Sequence, residues 1–311
     1  MRVVKIISRE VYVIFIFILV LACFFINNFT SYILLSLLPP IPTQNQNAGH
    51  SNSNGNSIAA FYTCHNQIAA TDKVLRYFRA HQPDSKIYLF NDAGSPFIRY
   101  LANKYHATYV HHSVHAVTTS FGNYWNSSER AWVYVRDLLN TAVASKSDWV
   151  ILLEDDTLVM SSISTDDLRF DMNGVNPNRY QYGNEDFFWY RVVQKYIRQV
   201  NASYDTHWGY NGCGGTIFRG SFLRQMARNA TLIRQQLDAF AKMALEDEGL
   251  KFMPSDQVLS FLIQINGGSM GTNEHYLEPW WGHAILNYLS GSAQILHGDK
   301  TSYTKVKKTN I

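Results

Sequence analysis

Charge is scarce in this chain of 311 residues. Asp, Glu, Lys and Arg together make up 16% of it, and the formal net charge is +3 at pH 7. So small and scattered an excess excludes the basic stripe that a nucleic-acid partner demands. Cysteine is scarce too. Three cysteines exclude a disulfide framework. Cys23 lies in an apolar N-terminal run, which leaves Cys64 and Cys213 as either a bridge in an oxidising compartment or two buried free thiols. No internal repeat is visible. Hydrophobic residues make up 46%, which excludes disorder throughout and supplies the core of one large domain.

The N-terminus carries the first positive signal. Val11 to Leu38 contains no charged residue, and Arg2, Lys5 and Arg9 precede it. A spanning helix needs about 20 apolar residues, and flanking cations face the cytosol. The expectation is therefore a cytosolic tail (1–10), a transmembrane anchor (11–38) and a lumenal remainder. The alternative is a cleaved signal peptide, whose apolar core is ordinarily about 7–15 residues; this run is longer. Residues 39–57 hold no charge and no aromatic and read as a flexible stem. Asn126-Ser-Ser, Asn201-Ala-Ser and Asn229-Ala-Thr are glycosylation sequons in residues 58–311 and suit a lumenal, glycosylated domain.

From Ile58 onward strand-like and helix-like segments alternate. The pattern predicts strands at 58–63, 86–90, 107–111 and 148–153. Helices are expected at about 71–81, 95–105, 127–144, 186–199, 221–245 and 255–265, with the rest irregular. Such alternation gives an α/β fold with a mostly parallel sheet flanked by helices. Ligands of these sheets sit outside the carboxyl ends of the strands.

At one such end stands Glu154-Asp155-Asp156, directly after Trp149-Val-Ile-Leu-Leu153. Adjacent carboxylates raise one another's pKa unless something cationic compensates. Along an extended chain Glu154 and Asp156 would share one side and Asp155 would take the other. Hard oxygen ligands suit Mn²⁺ or Mg²⁺, bridged to substrate phosphates. The bland alternative is a solvated acidic turn. Further on, Gly214 and Gly215 allow a close backbone approach, or only a turn. Asp256, after Pro254-Ser255, suits a helix start by itself, with Ser255 as the cap. Trp208, Tyr210, Trp280 and Trp281 offer flat faces to sugar C–H surfaces, although most of the 7 Trp and 19 Tyr must be packing.

An apolar strand ending in an acidic triplet, after two strand–helix units and an N-terminal anchor, resembles the GT-A glycosyltransferases. The triplet here is Glu-Asp-Asp, which departs at its first position from the plain D-x-D form. The resemblance implies a Golgi (or ER) single-pass type II membrane protein with a lumenal GT-A-like domain over 58–311. It implies an enzyme that moves a sugar, a hexose or N-acetylhexosamine, from a UDP-sugar to a glycan, glycoprotein or glycolipid hydroxyl. Asp156 would bind the metal directly, with Glu154 and His297 completing its shell. Donor contacts would come from Thr63, Cys64, His65, Asn66, Asp92, Arg130, Glu154, Asp155 and Lys300. Gly214, Gly215, Trp208 and Trp281 would face the transferred sugar and acceptor. Asp256 would be the general base of an inverting transfer, with Glu246, Asp247 and Glu248 as rivals. Two other readings compete: an inactive glycosyltransferase-like binding protein, and a two-metal phosphoesterase drawing on His111, His112 and His115.

Overall fold

In the computed structural model the described residues are 57–115, 124–174, 188–200, 214–247, 249–277 and 294–297. All fall within one unit, Gly49–Ile311. The anchor, nearly all of the stem and the lysines of the C-terminal tail lie outside them. Among the described residues no helix is long and apolar enough to cross a membrane.

The chain opens with β1 (Ile58–Cys64), α1 (Ile68–His81), β2 (Lys86–Asp92), α2 (Phe97–Lys104) and β3 (Thr108–His112). A short β4 (Tyr124–Trp125) leads into α3 (Ser128–Ser145) and β5 (Trp149–Leu153). Strands β5, β1, β2 and β3 lie side by side in that order and parallel to one another, while β4 stands outside this sheet. All seven residues of β1 are buried, as are all five of β5. Strands covered on both faces read as continuous apolar runs rather than alternations, which these do. Helix α1 buries Ala70, Thr71, Val74, Leu75 and Phe78, one face at helical spacing. Ser127 caps α3, its side chain accepting from the Arg130 N–H at 3.3 Å. Lys146 ends that helix in the left-handed region at φ 57°.

The second half departs from the expectation of irregular chain. β6 (Thr157–Val159), β7 (Met172–Gly174), α4 (Phe188–Val200), β8 (Ile217–Arg219), α5 (Gly220–Arg228) and α6 (Ala230–Ala241) follow, the last running into a π-helical turn, Lys242–Asp247. The single helix expected at 221–245 is thus broken, at Asn229. β9 (Met253–Pro254), α7 (Ser255–Ile265), β10 (Met270–Thr272), β11 (Tyr276–Leu277) and β12 (Ile295–His297) complete the order. The main sheet runs β10-β7-β8-β5-β1-β2-β3, with β8 antiparallel to both its neighbours. The fold is α/β and the sheet mostly parallel, as the sequence pattern implied.

One core joins these layers. Phe61 of β1 meets Tyr134 of α3 edge-on at 5.0 Å, and Phe240 of α6 stacks on Phe261 of α7 at 4.4 Å. Both pairs lie in the same buried cluster. What this frame positions is the junction of β1 and β5. The chain leaves β1 for β2 and β3 on one side and returns to β5 on the other, so the strand order reverses there. Crevices at such a switch point are where open α/β sheets take their ligands.

Candidate active site

The acidic triplet sits at that junction, but not as an extended chain. β5 ends at Leu153, and Glu154-Asp155-Asp156-Thr157 forms a tight turn into β6. The Thr157 N–H donates to the Glu154 carbonyl at 3.0 Å, and the Glu154 N–H donates to Thr157 Oγ1 at 3.1 Å. The alternation expected for Glu154 and Asp156 is therefore corrected: a closed turn, not a pleat, sets their directions. Asp156 is buried, at 6% exposure.

Asp155 is tied backwards into the fold. Tyr62, fully buried on β1 and in register with Leu153, donates its hydroxyl to Asp155 Oδ1 at 2.6 Å. That is the short range of a charge-assisted bond. The same hydroxyl lies 3.3 Å from Thr71 Oγ1 on α1. Burial pushes the Asp155 carboxyl up to about 7; Tyr62 pulls it back, and the charges of Asp156 and Glu154 raise it further. None of these influences is a cation.

Two other segments close on the turn. The Gly215 N–H donates to the Leu152 carbonyl at 2.6 Å, and the Leu152 N–H to the Thr216 carbonyl at 2.9 Å. This lays Gly214 against the triplet: a Cβ there would overlap Thr157 Oγ1 and stand 2.9 Å from Glu154 Cβ. Gly215 has φ 97°, a conformation suited to glycine. The Tyr276 hydroxyl fixes this backbone by donating to the Gly214 carbonyl at 2.8 Å. β12 pairs antiparallel with β6, which brings His297 into register with Thr157, the residue after Asp156. Asp156 and His297, 141 positions apart in the sequence, thus become neighbours along the β6–β12 ladder.

The ends of β1 and β2 have different chemistry. Asp92 is fully buried, with His115 Nε2 3.3 Å from Oδ2 and His112 Nδ1 3.8 Å from Oδ1. His112 also meets Asp137 of α3 at 2.9 Å. The hydrogen bond to Asp137, with the Asp92 carboxylate close by, raises the His112 imidazole to about 9. His65 Nδ1 lies 2.7 Å from the Asp92 carbonyl oxygen, and its ring stacks on His115 at 4.1 Å. Asp92, expected to contact the donor, has no exposed surface and lies against two imidazoles. Cys64 is another expected donor contact. It is a buried free thiol donating to the Phe90 carbonyl at 3.6 Å, and burial raises its pKa. Thr63 is buried, His65 partly so, and Asn66 exposed. His112 and His115 serve Asp92 rather than the acidic turn, and His111 is exposed on edge strand β3.

Asp256 lies in the first turn of α7, whose side chain Oδ1 accepts from the Gln257 N–H at 2.9 Å. Ser255 is the first helical residue rather than the cap, a position that Pro254 takes. Helix α7 packs on α6, β9 and β10. Glu246 and Asp247 are exposed in the π-helical turn, Asp247 pairing with Lys195 at 2.7 Å. Arg130 is exposed in the first turn of α3, the helix that feeds β5. Trp208, Tyr210, Cys213, Glu248, Trp280, Trp281, Lys300 and the His297 side chain lie outside the described residues.

Sequence reasoning overlooked Tyr62, Thr157 and Tyr276. Tyr62 carried a usable signal: a tyrosine inside an otherwise apolar central strand needs a partner for its hydroxyl.

The residues present fit a hard dication. The donor set is carboxylate oxygen, and Gly214 packs directly on Thr157 Oγ1 and Glu154 Cβ, which fixes the acidic turn from one side. Among the described residues no group of three His, Cys, Asp or Glu side chains is arranged as a metal cage. Mg²⁺ and Mn²⁺ held by one or two carboxylates plus substrate phosphates do not require one.

No family model and no curated protein matches the chain. Among solved structures it is similar to that of the galactosyltransferase LgtC in complex with donor and acceptor sugar analogs, with a TM-score of 0.48 and 11% identity, covering 79% of this chain and 88% of that one. It is also similar to an active-site mutant of LgtC, with a TM-score of 0.47 and 12% identity, covering 77% and 86%.

Proposed function

We propose that this chain is a glycosyltransferase that uses a divalent metal and a nucleotide-sugar, a UDP-sugar first among candidates. The observation that carries the proposal is the acidic turn at the carboxyl end of β5, at the switch point beside β1. Gly214 is pressed against this turn, and His297 stands in register beside it. Asp156 and Glu154 would hold Mn²⁺ or Mg²⁺, with His297 as third ligand. When bound, the ion supplies positive charge against the leaving diphosphate.

The chain's own residues do the rest. Tyr276 and the Leu152 backbone hold the Gly214–Gly215 turn against Glu154 and Thr157, and so hold the acidic turn in place. Arg130, on the exposed first turn of α3, is proposed to meet the donor's phosphates, and Lys300 to assist. Asp256 is proposed to take the acceptor hydroxyl's proton, giving inversion; a product with retained configuration would remove it from that role. The acceptor is a glycan, glycoprotein or glycolipid hydroxyl. The anchor at 11–38 would place the domain in the Golgi or ER lumen, with access to such acceptors. Protease protection of the domain in intact microsomes checks that orientation.

The test is turnover across a panel of UDP-sugars with the full-length chain and Mn²⁺. We expect transfer or donor hydrolysis with at least one donor, lost on chelation and in Asp156→Ala. Donor binding without either reaction would instead favour an inactive binding protein.

A further inference from the structure

We infer that Tyr62 is a positioning residue for the metal site and that Asp155, the middle carboxylate of the triplet, is its latch rather than a metal ligand. The inference rests on the proposed function, since it assigns work within the same site. It assigns the middle of three adjacent acids to the protein and the outer two to the metal.

The geometry is specific. Tyr62 has no exposed surface, and in the register of β1 with β5 it lies opposite Leu153, two residues before Asp155. From there its hydroxyl reaches beyond the strand end to Asp155 Oδ1 at 2.6 Å. Thr71, also fully buried, stands 3.3 Å from the same hydroxyl and anchors it to α1. The turn is thus pinned at three places: to β1 and α1 through Asp155, to itself through the Glu154–Thr157 bonds, and to the Gly214 backbone packed on Glu154.

Each pin constrains a different freedom. The Glu154–Thr157 bonds fix the turn's shape but not its tilt relative to the sheet. The Asp155 tether fixes the tilt. A carboxylate held back toward β1 fixes how the turn sits on the sheet, and the turn's own bonds then set the directions of Glu154 and Asp156. Without the tether the triplet keeps its charge but loses a fixed direction. Residues that orient the ligands of a metal without touching it commonly govern about 10–100-fold in metal affinity.

A purely structural reading of the same bond is that a buried phenol has merely found an acceptor. The two readings differ in what metal binding should do. The test is direct Mn²⁺ binding, with the free ion counted by electron paramagnetic resonance in the presence of UDP. It uses the full-length chain and its Tyr62→Phe, Asp155→Asn, Tyr62→Phe/Asp155→Asn and Asp156→Ala variants. We expect Tyr62→Phe and Asp155→Asn each to weaken Mn²⁺ binding about tenfold. The double variant should be no worse than the weaker single, because one interaction is lost in all three. Asp156→Ala should lose measurable binding. Near-UV circular dichroism checks that Tyr62→Phe is folded. Should it not be, Asp155→Asn carries the test, because the amide keeps the side chain's shape but removes the charge on which the short hydrogen bond depends.

A Tyr62→Phe chain that binds Mn²⁺ like the wild type would overturn the latch and leave the proposed function standing. Losses that add in the double variant, or an Asp155→Asn defect as deep as that of Asp156→Ala, would also overturn it, the latter by making Asp155 a ligand. A wild-type chain that binds no Mn²⁺ would overturn the metal site itself, and the latch with it.

Discussion

Two strands of one sheet end in aspartates, and the protein treats them differently. At the end of β2, Asp92 is met by the imidazoles of His112 and His115, and His112 is shared with Asp137. The charge there is balanced from within. At the end of β5, two places away in the sheet, Asp155 has a neutral phenol for its partner and two more carboxylates beside it in the chain. The difference teaches that acidity at a strand end is not itself a site. What distinguishes the β5 end is three carboxylates in succession, the middle one held by a phenol, at the position where strand order reverses.

That contrast can be broken most forcefully at β2. Asp92→Ala removes the common partner of two histidines in a buried setting, and breaking such a pair costs about 3–5 kcal/mol. We expect urea unfolding to show a loss of that order, with no selective loss of metal affinity in whatever remains folded. A selective metal defect would show that the two strand ends are not separate.

A Cβ at the β5 end is the next test. Gly214→Ala would push on Thr157 Oγ1 and Glu154. It should weaken Mn²⁺ binding or donor turnover about tenfold, roughly 1.4 kcal/mol. Unchanged binding would show that the glycine turn and the acidic turn move independently.

The β2 cluster also predicts a pH signature. His112 is raised in the folded state to about 9 from an ordinary 6.5, by its hydrogen bond to Asp137 and the nearby Asp92 carboxylate. A raised folded pKa gives stability that is fully present below the unfolded value of about 6.5 and lost as pH rises through about 9. Stability measured by urea unfolding should therefore fall across pH 6.5–9, by an amount on the order of 1–3 kcal/mol. His112→Gln should flatten that fall. A wild-type profile already flat over the window would contradict the assignment.

The smallest effect lies far from either strand end. Lys146 closes α3 in the left-handed region, where glycine is favoured. Lys146→Gly should stabilise the fold by about 1 kcal/mol in the same unfolding assay, with metal binding untouched.

Legibility in the sequence followed the same division. The parallel half, β1 to β3 and β5 with α1 to α3, could be read because its strands are long apolar runs between amphipathic helices. Ser127 was visible as a cap before its helix. The second half rests on strands of two or three residues, such as β6, β7, β8 and β10. Segments this short show no periodicity, and their pairing depends on partners distant in the chain. The acidic triplet and Gly214 stood out as residue types in context, but their contact did not, because it depends on β8 running antiparallel beside β5. The β2 cluster was illegible for a related reason: nothing local to Asp92 reveals that His112 and His115, beyond α2 in the chain, come to lie against it.

The central claim is that the turn at the end of β5 binds a dication for the transfer of a sugar from a nucleotide. Its most direct measurement is UDP-sugar turnover by the full-length chain, with Mn²⁺ and with chelator, beside Asp156→Ala. The account predicts turnover that requires the metal and falls at least about 100-fold in Asp156→Ala, close to 2.7 kcal/mol. Equal turnover by the wild type and Asp156→Ala, or turnover indifferent to chelation, would contradict it.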